Sequence, residues 1–307
     1  MGYLFLSIAL LMSKVKGYCG KKISVKTTDF SQVLLISFMR MLICVPLGAL
    51  FILFLAGGTS GIRVDGQTLI IAFISGVATA GFVVCWLLCI RTGAYVMIDL
   101  FLMLGIVVPL ILSSVFFNEK IGAIKWFGVA LLVVATVIMC WYSKGVKKVF
   151  TVKGLILLVT CGLFNGITQF AQKWFALSSV KNGVDASVFN FYSYLFASLT
   201  LFVVVLINVL KNKGKRRFIE HFLVLKKSFL LVFIMAISLF MHSYFSTRSA
   251  SYLSTIELYP LQQGAGLILS VIMSALFFSE RINLKCVVGI IVTITALFVI
   301  NVLPSMV

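Results

Sequence analysis

The 307-residue chain has few charged side chains, and acidic ones are especially scarce. Charged residues make up 11% of the sequence, with eight acidic against 26 basic residues, while hydrophobic residues make up 62%. A soluble domain carries roughly 25% charged and about 45 to 50% apolar residues. Together with a mean hydropathy of +1.16, this composition excludes a water-soluble fold.

Groups suited to metal or covalent chemistry are also scarce. The chain has two histidines, His221 and His242, and seven cysteines without any Cys-x-x-Cys pair. Because this pattern offers neither metal-ligand spacing nor a nucleophile beside a base, we expect no enzyme activity, no bound metal and no cofactor. A Walker motif is missing too, so ATP-driven transport by this chain alone is not expected.

Long apolar runs take up most of the sequence. A bilayer core needs roughly 20 apolar residues in a helix, and nine runs of that length predict membrane spans: Ser31–Ala56, Thr68–Ile90, Ala94–Phe117, Ala123–Tyr142, Gly154–Leu177, Ala186–Leu210, Ser228–Thr247, Leu253–Phe278 and Leu284–Leu303. Tyr3–Met12 is too short alone, but a helix extended through Cys19 is long enough if Lys14 and Lys16 enter the membrane. The sequence thus predicts an all-α integral membrane protein with ten transmembrane helices.

The basic residues cluster between the spans. Loops after odd-numbered spans hold 17 of the 26, and loops after even-numbered spans hold six. Cytoplasmic loops carry the excess of Lys and Arg, so we place the odd loops in the cytoplasm and both termini outside the cell, in a multi-pass plasma-membrane protein. The net charge of +18 is explained by this bias, and no nucleic-acid partner is expected.

The sequence contains an internal repeat. Gly105–Ala135 aligns without gaps on Gly266–Ala296, and nine of the 31 positions are identical. The repeat predicts two five-helix halves, residues 1–143 and 154–307, joined by a basic cytoplasmic linker at 144–153. Because five is odd, the second half enters the membrane inverted, which is the architecture of secondary transporters.

The repeated turns FFNEKI (from Phe116) and FFSERI (from Phe277), each followed by a Gly-containing apolar helix, resemble EamA-type members of the drug/metabolite transporter superfamily. That resemblance implies the ten-helix fold and a transport function. Arg40 matches an arginine that these proteins often carry in the second span. The last two helices of each half also resemble small multidrug resistance proteins, but Lys14 stands where those carry a membrane-embedded glutamate, which argues against a polyspecific cation exporter.

Ionisable residues inside spans are costly and therefore candidates for function. Lys14 and Arg40 would give an interior site positive potential. Alternatively, Lys14 is a snorkelling side chain at the end of a helix, and Arg40 makes a structural contact. Asp99 and Glu257, near the starts of the fourth and ninth spans, are either proton-coupling carboxylates or partners of helix N-termini. Glu119 and Glu280 are interpreted as structural residues of the repeated turn.

The second half carries a denser polar set. On the sixth span, Asn165, Gln169 and Gln172 recur at helical spacing and share one face. A polar stripe in a membrane helix needs a partner helix or an aqueous cavity. The later spans contribute further candidates: Asn190, Tyr192, His242, Tyr244, Tyr259, Gln262 and Gln263.

These patterns favour a secondary active transporter, in the direction of export, for a small polar metabolite such as an amino acid, working by alternating access. The alternative on the same fold is a flippase for a lipid-linked substrate or a multidrug exporter. The expected partners are the bilayer, a small-molecule substrate and protons as the candidate coupling ion. Both a monomer and a homodimer are compatible with the sequence.

Overall fold

The protein is built from α-helices, with no strand in the part of the chain described by the computed structural model, residues 1–27, 29–55, 64–91, 95–119, 121–140, 152–211, 215–278 and 284–303. The helices in chain order are α1 Gly2–Ser24, α2 Phe30–Leu55, α3 Gly66–Arg91, α4 Tyr95–Leu104, α5 Val107–Phe117, α6 Ala123–Cys140, α7 Val152–Asn182, α8 Ala186–Lys211, α9 Lys215–Ala250, α10 Thr255–Phe278 and α11 Leu284–Asn301. The predicted all-α class is confirmed. Residues 141–151 lie outside the described residues, including 144–151 of the predicted linker, and so does Glu280.

Several helices are suited to a membrane. Among the described residues, six are long and apolar enough to cross one: α2, α3 and α8 in full, and most of α7, α9 and α10. Many large apolar side chains also face outward, including Phe54, 82% exposed, and Leu276, 72% exposed. An outward apolar surface of this extent is stable only against lipid, so the protein is embedded in a membrane with several passes.

Helix α1 is more polar than those six but equally long. It runs unbroken for 23 residues from Gly2 to Ser24, about 35 Å at 1.5 Å per residue. Lys14 and Lys16 are 7% and 5% exposed, so both side chains lie within the helix bundle. The short apolar run at the N-terminus is thus part of a longer helix that carries two buried lysines.

The predicted fourth span is a broken helix. Residues Gly105 and Ile106 separate α4 from α5, and Pro109 is the third residue of α5. In a continuous helix Pro109 could not donate a hydrogen bond to the Gly105 carbonyl, and its ring would clash with that group. The break removes this conflict: Val108 N donates to Gly105 O at 3.2 Å instead.

The break allows a close crossing with α7. A Cβ atom at Gly105 would overlap the carbonyl oxygen of Gly162, and one at Gly166 would lie 2.6 Å from Gly105 O. Such a contact between two backbones is possible only with glycine on both sides. The crossing places α4 directly against the polar face of α7.

Helices from the first part of the chain pack mainly on helices from the second part. Helix α1 packs on α9 and α10, α2 on α8 and α9, and α3 on α7 and α8. Helix α4 packs on α7 and α10, and α6 lies against α11. The interior is therefore a composite of both parts.

The segment before the predicted eighth span differs from expectation. The predicted spans Ala186–Leu210 and Ser228–Thr247 leave Lys226 and Lys227 between them, but α9 is helical from Lys215 onward and has 36 residues. Lys, Arg, Leu and Glu are good helix formers, so the helix extends well beyond the apolar stretch that begins at Ser228.

Candidate functional site

A polar cavity lies in the middle of the helix bundle. Its volume is about 70 Å³, enough for several water molecules or a small polar group. Helices α1, α3, α4, α7, α8, α9 and α10 all contribute to its wall. The predicted site residues that line it are Lys14, Asp99, Asn165, Gln169, Gln172, His242, Gln262 and Gln263.

One wall carries an ion pair. Lys14 Nζ lies 3.0 Å from Asp99 Oδ2 and donates to Ser270 Oγ at 2.5 Å, and the Ser270 hydroxyl in turn donates to Asp99. The Lys14 and Asp99 side chains are 9% and 14% exposed. The lysine is therefore paired within the bundle instead of reaching the membrane surface, and Asp99 serves as its counter-ion.

Another part of the wall carries a connected amide and hydroxyl network. Gln172 Nε2 donates to Ser243 Oγ at 3.1 Å, and Ser243 Oγ donates to Asn190 Oδ1 at 2.6 Å. Ser246 Oγ is 3.3 Å from Gln172 Oε1 and 3.4 Å from Gln262 Oε1. Asn190 does not line the cavity, but it orients Ser243, which does. Connected networks of this kind hold side chains in one arrangement.

Two amides on α7 have polar atoms without a partner. Asn165 Nδ2 and Gln169 Oε1 are both buried, and neither forms a hydrogen bond with the described residues. Buried polar atoms are nearly always paired. Both residues belong to the cavity lining, so an unpartnered donor and an unpartnered acceptor lie beside the cavity.

His242 closes another part of the wall. Its Nδ1 atom lies 2.9 Å from the Ala9 carbonyl oxygen. Since a carbonyl only accepts hydrogen bonds, Nδ1 carries the proton. In a neutral ring the other nitrogen, Nε2, is then a hydrogen-bond acceptor.

Two further cations lie against Trp86, which also lines the cavity. Lys16 Nζ is 5.4 Å and Arg40 Cζ is 5.5 Å from the centre of the same ring. Lys16 lines the cavity, whereas Arg40 is not part of the lining and is 0% exposed. None of the three guanidinium nitrogens of Arg40 has a hydrogen-bond partner among the described residues.

The remaining predicted residues lie outside the cavity wall. Tyr244 packs against Phe51 at 5.2 Å between ring centres, and Tyr192 contacts Phe191 at 5.1 Å. Tyr259 donates to the backbone carbonyl of Gln169. These tyrosines pack and orient helices around the site.

Glu257 also lies outside the wall and belongs to a helix terminus. Its carboxylate accepts a bond from Ser254 N at 3.3 Å and lies 4.0 Å from Lys125 Nζ. A carboxylate three residues after the N-cap that bonds back to the cap N–H is half of a capping box. Of the two interpretations of Glu257, this geometry supports the helix-terminus role.

Lys173 forms the centre of a buried cluster that sequence reasoning missed. Its Nζ donates to the carbonyl oxygens of Ala250 and Leu253 at 3.2 and 2.8 Å and lies 3.5 Å from Glu119 Oε1. Glu119 also accepts a bond from Thr255 N at 3.3 Å. Glu119, the acidic residue of the first repeated turn, therefore connects the end of α5 to α7 and to the start of α10. This cluster lies just beyond Gln172, at the end of the bundle where α1 begins.

The sequence contained a signal for some of these residues. Lys173 continues the polar stripe of α7 four residues after Gln169 and lies within the predicted span Gly154–Leu177. For Lys16 the sequence predicts only that it enters the membrane if the first helix extends through Cys19. Trp86, Ser243 and Ser270 carry no pattern that separates them from ordinary membrane-helix residues.

No family model and no curated protein matches the chain. A solved structure, described only as a crystal structure of a protein, is similar over 99% of this chain and 98% of its own, with a TM-score of 0.67 and 13% sequence identity. At this identity the similarity shows the fold and nothing about activity. The chain is therefore a helical membrane protein whose whole fold is shared with a solved structure.

Proposed function

We propose that this protein is a secondary transporter that moves a small polar metabolite across the plasma membrane by alternating access. The observation that carries the proposal is the central cavity, which residues of seven helices line and beside which the unpartnered Asn165 Nδ2 and Gln169 Oε1 lie. Polar groups buried in a membrane protein normally mark a substrate or ion path. No ATP-binding motif supplies energy, so an ion gradient or exchange must.

The helix contacts support a further part of the proposal, that ten spans form two inverted five-helix repeats. In this arrangement α1, α2, α3, the α4–α5 pair and α6 correspond to α7, α8, α9, α10 and α11. If the two halves are exchanged, the contact between α1 and α9 corresponds to a contact between α7 and α3. In the same way, the contact between α2 and α9 corresponds to a contact between α8 and α3. All four contacts occur. Likewise, α1 packs on α10 and α7 packs on α4 and α5.

Those repeats, with the duplicated acidic turn, are the basis for proposing an EamA-type member of the drug/metabolite transporter superfamily. One end of the bundle carries contacts that suit the closed side of an alternating-access transporter. The Lys173 and Glu119 cluster ties three helices together on the side of the termini, which the basic-residue bias assigns to the outside of the cell. We propose that this end is closed in the described conformation.

The alternative, a flippase for lipid-linked molecules or a multidrug exporter, requires a large apolar surface in the site. A cavity of about 70 Å³ whose lining includes amides, two lysines and an aspartate beside apolar side chains favours a small polar solute instead. The proposed substrate is a small metabolite such as an amino acid.

Uptake and counterflow of a radiolabelled metabolite panel in proteoliposomes, with and without a pH gradient, test this function. Saturable flux is expected for the wild type, and Asn165→Ala and Gln169→Ala should each reduce it about tenfold, the effect of losing roughly 1.4 kcal/mol of binding. Asn208→Ala is the matched control, because Asn208 bonds to Ser31 Oγ at 2.8 Å away from the cavity. Translocation of a lipid or lipophilic cation, with no flux of any polar solute, would favour the alternative.

A further inference from the structure

We infer that the transported metabolite is an anion and that its carboxylate or phosphate group binds at Lys16, beside Trp86 and within the field of Arg40. The inference rests on the proposed function and specifies the substrate class of the same cavity. Its basis is an excess of buried positive charge that the protein does not neutralise.

The cations are buried close together. Lys14, Lys16 and Arg40 are 7%, 5% and 0% exposed. Lys14 is paired with Asp99, but none of the ion pairs among the described residues includes Lys16 or Arg40. Their shared neighbour, Trp86, contributes a ring face, which attracts a cation without cancelling its charge.

The chain has few acidic residues that could balance the charges of Lys16 and Arg40. Only eight acidic residues occur in the whole sequence. Asp99 is the one acidic residue in the described lining of the cavity, and it already accepts from Lys14 and Ser270. Glu119, Asp185 and Glu257 are bound to other cations. Among the described residues, the two positive charges beside Trp86 therefore have no acidic partner.

Isolated buried charges are expensive unless they are paired. A polar site that keeps two such cations is best explained by a ligand that supplies the negative charge. Lys16 lines the cavity and can contact an oxyanion directly, whereas Arg40, outside the lining, adds attraction through the low-dielectric interior. Asn165 and Gln169 then supply a donor and an acceptor for the uncharged part of the same ligand.

The inference leads to a binding measurement on the full chain. A variant whose tryptophans at positions 126, 141 and 174 are replaced by phenylalanine retains Trp86 as its one tryptophan, so its fluorescence reports on the site. The probes are succinate for two carboxylates, glycerol phosphate for a phosphate ester, alanine for a zwitterion and lysine for a cation. Phosphatidylglycerol added in detergent tests a lipid headgroup as the source of the phosphate.

Succinate or glycerol phosphate is expected to change Trp86 fluorescence saturably, and alanine and lysine are not. Lys16→Gln should weaken this binding at least tenfold and Arg40→Gln severalfold, while Arg40→Lys, which keeps the charge, should bind nearly as the parent does. Lys153→Gln is the matched control, because Lys153 is exposed at the start of α7. A response to phosphatidylglycerol alone would overturn a soluble anion as the substrate.

Thermal unfolding separates this role from a structural one. If the charge of Arg40 is left for a ligand anion to balance, Arg40→Met should raise the melting temperature of the ligand-free protein and reduce the stabilisation by added anion. If Arg40→Met lowers the melting temperature and anion binding persists in Lys16→Gln, the inference is wrong. Saturable flux of alanine that Lys16→Gln leaves unchanged would reject the anion and keep the transporter, whereas flux of no solute would reject both.

Discussion

At the scale of single residues, the Lys14 and Asp99 pair determines whether the interior is stable. Both side chains are largely buried and 3.0 Å apart. Removing one partner of a buried ion pair leaves an uncompensated charge and typically costs about 3 to 5 kcal/mol. We expect Asp99→Asn to lower the free energy of unfolding by that order, measured by thermal or denaturant unfolding in detergent.

The exposed pair Arg248 and Asp185 provides the control. It has a similar distance, 3.4 Å, but the side chains are 38% and 22% exposed, and surface pairs contribute about 0 to 1 kcal/mol. Asp185→Asn should therefore have a small effect, since Asn also caps helices well. Replacing both members as Lys14→Met and Asp99→Leu should restore much of the stability. Equal costs for the two Asp→Asn changes would contradict a buried pair.

At the scale of helices, the crossing between α7 and the break after α4 depends on glycine. A Cβ at Gly105 would overlap the Gly162 backbone, which cannot move aside as a side chain can. Gly105→Ala should therefore sharply reduce the yield of monodisperse protein in size-exclusion chromatography. Gly266→Ala is the control at the repeat-equivalent position, because its Cβ would meet only Lys14 Nζ at 3.7 Å and Leu10 at 3.8 Å. If both variants behave alike, the close crossing is not required.

A second prediction at this scale concerns the closed end of the bundle. Glu119 joins α5 to α7 through Lys173 and to α10 through Thr255 N. If this end opens during transport, Glu119→Gln should favour the open state by weakening the charged contact. A cysteine introduced at Thr168, which lines the cavity, should then react severalfold faster with an impermeant maleimide in a background without native cysteines.

Glu257→Gln is the control for that labelling experiment. Glu257 lies at the same end, but its contact with Lys125 is 4.0 Å and 34% of its side chain is exposed, so its neutralisation should change the labelling rate little. Unchanged labelling in Glu119→Gln would mean that this cluster does not hold the cavity closed.

At the scale of the whole molecule, the ten proposed spans would place both termini on one side of the membrane. The distribution of basic residues predicts that this side is the exterior. A C-terminal alkaline phosphatase fusion, which is active only outside the cytoplasm, should be active, and a C-terminal green fluorescent protein should be dark. Fusions after Lys148 should give the opposite results. A dark fluorescent fusion at one terminus with a bright one at the other would contradict an even number of spans.

The sequence alone determined the class of this protein, because apolar runs longer than a bilayer and a shortage of charge leave only a helical membrane protein. It also located the polar face of α7, since Asn165, Gln169 and Gln172 follow the helical period. Long-range packing decided the rest. The pairing of Lys14 with Asp99 across 85 residues, the placement of Lys16 and Arg40 on one tryptophan ring, and the cluster around Lys173 join separate helices. Periodicity within one helix says which residues share a face, but only the folded bundle determines which faces meet.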